Sequence, residues 1–186
     1  MRQLIDFLTE SNKEQLGKLF DLSRTLDLSS INVKNVNLND SDLLDRIAAP
    51  IIEFSVFDKF ASNTGDYGIF SKVSKAKASS LWDFTAKLDK DSILGSKVED
   101  LPFDKTLTFE IKAFKDGKAH NITLTKPQIE AIQAGVEDVY FILVDYSTSD
   151  GDISINNVYF TDADTMKQVI GAKSVKSSVF KKVVLN

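Results

Sequence analysis

Thr106-Leu107-Thr108-Phe109-Glu110-Ile111-Lys112-Ala113-Phe114 is the stretch whose reading decides the architecture. Leu107, Phe109, Ile111 and Ala113 point one way and Thr108, Glu110 and Lys112 the other, the period of two that a β-strand imposes. Immediately after it, Lys115-Asp116-Gly117-Lys118 carries the Asp-Gly signature of a tight hairpin, so Ala119 to Leu124 is expected to pair back antiparallel. Thr125-Lys126-Pro127-Gln128 then reads as a helix start, with Thr125 as cap, Gln128 completing a capping box and proline tolerated in the first turn. That helix ends near Gly135, and Val139 to Val144, apolar on both faces, suits a strand in the middle of a sheet.

Upstream, Tyr67 to Val73 and Leu81 to Leu88 are expected strands, the second followed by a polar loop ending near Pro102. Earlier still the pattern is helical. Leu4, Phe7 and Leu8, then Leu16, Leu19 and Phe20, indicate two short amphipathic helices with Ser11 as a cap between them. Residues 29 to 42 are rich in Ser, Asn and Asp, and Asp42 is placed to cap a helix from about Leu43 to Phe60 that Pro50 kinks or divides. Downstream, Asp150-Gly151 marks a hairpin with Ile153 to Phe160 as its return strand. A helix from Asp162 to Ile170 and a basic C-terminal stretch follow. The chain reads as one α+β domain over residues 1–186, mainly helical in 1–62 and sheet-containing in 63–186, with a mixed central sheet flanked by helices.

Composition narrows the chemistry. With 186 residues, 42% hydrophobic and 10% aromatic, the chain supplies a core for one domain. It contains no cysteine, which excludes disulfides and thiolate metal sites, and its one histidine, His120, leaves little room for a zinc site. A metal would be held by oxygen, as hard cations such as Mg²⁺ prefer, and 27 acidic residues leave that route open. The net charge of -4 and a pI near 5.1 argue against a general nucleic-acid coat protein. Acids interrupt the apolar N-terminus, and no run approaches the roughly 18 apolar residues of a membrane span, so a cytoplasmic location is expected.

Glu110 and Lys112 share a strand face, a carboxylate beside an ammonium, and such a pair can hold a metal and polarise water. An acid-x-Lys triplet arises by chance about once in a chain of this length and composition. Asp116-Gly117-Lys118 is one such accident, in a turn. Glu110 differs by its placement: mid-strand, between apolar neighbours, ahead of a capped helix and a buried strand. The bland alternative is an exposed cross-strand ion pair worth roughly 0 to 1 kcal/mol.

Phe109-Glu110-Ile111-Lys112-Ala113, then Ile122 to Glu130, then Tyr140-Phe141-Ile142-Leu143-Val144 together resemble the PD-(D/E)XK nuclease superfamily, over roughly residues 80 to 146. In that family a strand bearing Glu-x-Lys leads to a helix and then to a hydrophobic strand of the same sheet. The resemblance implies a restriction-endonuclease-like core and a further aspartate one strand earlier. Asp83, in Leu81-Trp82-Asp83-Phe84, is the candidate, sharing a face with Thr85 and Lys87, although Trp82 stands where the family often has proline. Asp66 is the runner-up.

The activity implied is that of a Mg²⁺-dependent endonuclease of restriction type acting on double-stranded DNA. Asp83, Glu110 and the carbonyl of Ile111 would hold the metal, and Lys112 would orient or help deprotonate the attacking water. Glu53 is an auxiliary acid on this reading, against the plainer view of a solvated helix residue. Gln128 or Lys126 would touch the site or a phosphate, against a simple capping role for Gln128. Trp82 is most simply core. His120 receives no catalytic role. Lys72 to Lys77 and Lys173 to Lys182 are either solvated faces or contacts to backbone phosphates. Family precedent adds a symmetric homodimer, because a palindromic site has two equivalent halves. The rival is a non-catalytic binding or structural module in which Asp83 and Glu110 lie far apart; a third reading is a degenerate nuclease fold retained for binding, which activity alone separates from the first.

Overall fold

Val139 to Val144 does become the centre of the sheet, and the rest of the molecule is arranged about it. The structure, a computed structural model, describes residues 2–6, 41–62, 70–75, 77, 80–90, 101–149, 152–173, 175 and 179–183. Helices α1 (Arg2–Asp6) and α2 (Ser41–Ser62) precede strands β1 (Phe70–Lys75), β2 (Phe84–Leu88) and β3 (Leu107–Lys115). Helix α3 (Lys126–Gln133) leads to β4 (Val139–Ser149) and β5 (Asp152–Asp162), followed by α4 (Ala163–Val169) and β6 (Lys181–Val183).

The six strands lie in the order β1-β2-β3-β4-β5-β6. Neighbours are antiparallel except β3 and β4, which are parallel over Thr108↔Val139 to Lys115↔Tyr146. A parallel pair needs a crossover, and residues 116–138 with α3 provide it. The sheet is therefore mixed, and helices cover both faces.

Strand alternation divides the core in two. Leu107, Phe109, Ile111 and Ala113 of β3, with Tyr140, Ile142 and Val144 of β4, pack under α2. There Ala48, Ile52 and Val56 form a buried stripe at every fourth residue, while Phe54 is 63% exposed on the opposite side of the helix. Val139, Phe141 and Leu143 face the other way, onto Ile132 of α3 and Ala163, Met166 and Val169 of α4. This double covering makes β4 apolar on both faces. Phe114, Ala119, Tyr159 and Phe180 complete the second core. Among the described residues no helix is long and apolar enough to cross a membrane.

Several expectations need correcting. Ala119 to Leu124 does not pair back on β3: Ala119–Asn121 is a 3-10 turn, and 122–124 is irregular. Asp116 and Gly117 do turn the chain, with φ of 54° and 69°, and Asp145 fixes that turn by accepting the Gly117 N–H at 2.8 Å. The turn instead opens the crossover to β4, which pairs with β3 from Thr108 to Lys115. Helix α2 runs unbroken through Pro50, which is exposed, so the carbonyl left without an amide partner lies on the solvent side. Asp42 lies within that helix and is not its cap.

The strand expected from Leu81 starts only at Phe84, with 81–83 forming a bend. The basic C-terminal stretch supplies an edge strand, β6, so it and the Lys72 to Lys77 stretch lie at opposite edges of the sheet. The expected cap at Ser11, the helix around Leu16 to Phe20, the Asp150-Gly151 turn and Asp66 lie outside the described residues.

Candidate active site

The site forms where β2 ends. Pairing of β2 with β3 runs from Ala86↔Leu107 to Phe84↔Phe109 and stops there. Beyond Phe109, β3 has no strand on that side among the described residues, so its backbone needs other partners. Side-chain carboxylates provide them. Asp83 Oδ2 accepts the Ile111 N–H at 2.8 Å, and Glu53 Oε1, reaching from α2, accepts the Ala113 N–H at 3.0 Å. In a strand the carbonyl of a residue lies on the same side as its N–H, so the Ile111 carbonyl also opens toward Asp83.

Two aromatic neighbours aim Asp83. The Phe84 ring stacks on Phe109 at 5.0 Å in the core beneath α2, while Trp82 meets Phe141 edge-on at 5.9 Å on the opposite face. An acid between aromatics that insert on opposite faces of one sheet is held in the sheet plane. Its own N–H donates to both the Phe109 carbonyl and Glu110 Oε2, each at 3.1 Å. Asp83 thus sits just ahead of the strand and does not share a strand face with Thr85 and Lys87 as expected.

Glu110 lies on the face of β3 opposite Ile111, and at 2% exposure it is no surface residue. The exposed ion-pair reading therefore fails on burial. Glu110 Oε1 accepts from Lys112 Nζ at 2.6 Å and from Gln128 Nε2 at 2.8 Å, and Oε2 accepts from Asp83 N. All three contacts are donors, the arrangement that serves a carboxylate. Burial opposes them and, with the Asp83 charge, pushes the Glu110 carboxyl up to about 7. Burial also works to lower the Lys112 pKa, but the hydrogen bond and charge of Glu110, with the charges of Glu53 and Asp83, raise it above the usual lysine value. Glu53 is likewise raised, by burial first, against the Ala113 hydrogen bond and the Lys112 charge.

Gln128 joins the site from the first turn of α3. Its Oε1 accepts the Thr125 N–H at 3.0 Å while Thr125 Oγ1 accepts the Gln128 N–H at 3.4 Å, which forms the expected capping box. Its Nε2 also donates to the Leu81 carbonyl at 2.7 Å. Lys126 is 87% exposed and pairs with Glu130 at 3.8 Å, so it has no part in the cluster. The fold thus brings Asp83, Glu110, Lys112, Gln128 and Glu53 together and leaves Lys126 out. Among the described residues, no three Asp, Glu, His or Cys side chains form a group that could hold a metal ion by themselves.

A cleft of about 550 Å³ lies elsewhere, between the 3-10 turn, α3 and the end of α4, lined by Ile122, Leu124, Ile129, Met166 and Ile170 with His120 at its rim. None of the acids borders it. The anchoring role of Trp82 and Phe84 was not anticipated, although the Trp-Asp-Phe triplet, an acid between two large aromatics, carried the signal. No family model and no curated protein matches the chain, so the site is read from its own geometry.

Proposed function

We propose that this protein is a Mg²⁺-dependent endonuclease that hydrolyses phosphodiester bonds of double-stranded DNA, of the restriction type and with a PD-(D/E)XK-like core. The observation that carries this reading is the meeting of Asp83 with Glu110 and Lys112 at the open edge of β3. The rival reading expects those acids apart. Element order adds support: β3, bearing Glu110-Ile111-Lys112, leads through α3 to the hydrophobic strand β4 of the same sheet, and Asp83 stands just ahead of β2, one strand earlier.

The donor set fits a hard cation. Asp83 and Glu110 offer carboxylate oxygens and Ile111 a carbonyl, and Mg²⁺ is commonly held by one or two carboxylates with water and substrate phosphate completing its shell. A third acid in contact is therefore not required. Bound there, Mg²⁺ offsets charge on the scissile phosphate and makes nearby water more acidic. Lys112, held as an ammonium by Glu110, orients the attacking water and faces the negative phosphate. Glu53 holds β3 in place through Ala113 and adds negative charge beside Lys112. A symmetric dimer would present two such sites to a palindromic duplex.

One observation favours a second reading, a degenerate fold retained for binding. The contacts of Asp83 Oδ2, Glu53 Oε1 and both Glu110 oxygens are all made within the protein, and they would brace β3 without any catalysis. Incubation of plasmid and genomic DNA with purified protein separates the two, using Mg²⁺ or Mn²⁺, an EDTA control, and the Glu110→Ala and Lys112→Ala variants. Discrete fragments lost with EDTA and with Glu110→Ala are expected, with Lys112→Ala slowed by about 10²- to 10⁴-fold. Intact DNA under every metal condition would favour the binding module.

A further inference from the structure

Gln128 is 4% exposed and its side-chain amide is used at both ends. The sense of that amide is decided by its partners, since the Thr125 N–H can only donate and the Leu81 carbonyl can only accept. The remaining Nε2 hydrogen is directed at Glu110 Oε1, 2.8 Å away. Capping α3 requires the Oε1 contact alone, and a glutamate at this position would supply it equally well. The two donor contacts are extra to capping, and they reach the two segments that carry the acids.

Leu81, whose carbonyl receives one of these bonds, is 41% exposed and gives the bend before Asp83 little apolar anchorage on that side. We propose that Gln128 is a positioning residue for the acidic site, its amide setting the spacing between the Leu81–Asp83 bend and the Glu110 carboxylate and tying both to the first turn of α3. Its consequence for cleavage rests on the nuclease reading, whereas its consequence for the site's own hydrogen bonds does not. A neutral amide suits the task because it both donates and accepts while adding no charge beside Asp83, Glu110 and Lys112. Glutamate lacks the donors, lysine lacks the acceptor, and asparagine is shorter by a methylene.

The test compares Gln128→Glu, Gln128→Met and Thr125→Ala in the full chain. Gln128→Glu retains the acceptor for Thr125 and loses both donors; Gln128→Met loses both functions at similar volume; Thr125→Ala weakens the cap and leaves the donors in place. Amide hydrogen exchange at Asp83 and Ile111 should quicken about tenfold in both Gln128 variants and stay near wild type in Thr125→Ala. In cleavage assays the Mg²⁺ concentration for half-maximal rate should rise about 10- to 100-fold in the Gln128 variants alone.

Exchange at Asp83 and Ile111 that remains at the wild-type rate in Gln128→Glu would overturn the proposal, leaving Gln128 a cap. So would loss of the fold in both Gln128 variants beside a folded Thr125→Ala, since the role would then be structural. A wild-type protein that cleaves no DNA defeats the nuclease reading, and the exchange rates still decide the positioning role.

Discussion

The two edges of β3 are held by different means. Toward β4, the strand is matched residue by residue from Thr108↔Val139 to Lys115↔Tyr146, and every β4 side chain along that seam is buried. Toward β2, pairing stops at Phe109, and the amides of Ile111 and Ala113 are taken by the carboxylates of Asp83 and Glu53. A strand edge completed by another strand leaves no chemistry free. An edge completed by carboxylates draws acidic groups from separate elements into one half-buried place, where burial raises the pKa values of Glu53 and Glu110.

Three measurements test this contrast. The largest effect is expected at Phe109, where the last paired residue of the short edge stacks on Phe84 and also meets Phe70 and Tyr140 at 5.6 and 5.8 Å. Phe109→Ala should lower stability to urea by about 3–5 kcal/mol, the usual loss for a buried aromatic. A loss below about 1 kcal/mol would mean that the corner aiming Asp83 is not anchored by these rings.

Next comes the pH dependence centred on Glu110. Its folded-state value of about 7 stands above the 4.5 of an ordinary glutamate, so the folded protein binds this proton more tightly than the unfolded chain. The stability it contributes is full below about pH 4.5 and is lost as the pH rises through about 7. Chemical denaturation across that window should show wild type losing up to on the order of 3 kcal/mol relative to Glu110→Gln. Parallel profiles for the two proteins would show that the three donors outweigh burial and keep Glu110 an ordinary carboxylate.

The smallest effect separates the acid's charge from its brace. Asp83→Ala leaves the buried Ile111 N–H without its acceptor and should cost about 1–3 kcal/mol. Asp83→Asn keeps an acceptor oxygen in place and should cost clearly less when both variants are unfolded in urea. Equal losses would show that the negative charge of Asp83, and not the hydrogen bond, supports the open edge.

Much of this arrangement was legible along the chain because it follows from local rules. The alternation over Leu107 to Ala113 gave β3 and its buried face, and Thr125-Lys126-Pro127-Gln128 gave the start of α3 together with its capping box. The helix expected from Asp162 to Ile170 is α4, and Asp162 caps it by accepting the Thr165 N–H at 2.8 Å. The expected return strand after Gly117 failed because an Asp-Gly turn specifies only that the chain reverses, whereas the partner of a strand is chosen by burial over the whole sheet. Asp83 was named as the aspartate that the family resemblance implies, yet its place in a bend ahead of β2 was not foreseen, since a short strand's first residue depends on where its partner's register begins.

Sequence alone determined the alternation of β3, the capped start of α3, the absence of thiolate ligands for any metal, and the pairing of Glu110 with Lys112 on one strand face, because each of these depends on composition or on residues within a few positions of one another. Only the tertiary structure decided that Asp83, Glu53 and Gln128 converge on that pair, that Glu110 is buried, and that β3 runs parallel to β4. Those outcomes depend on which faces are covered and on where β2 stops, and neither is encoded within a short window of sequence.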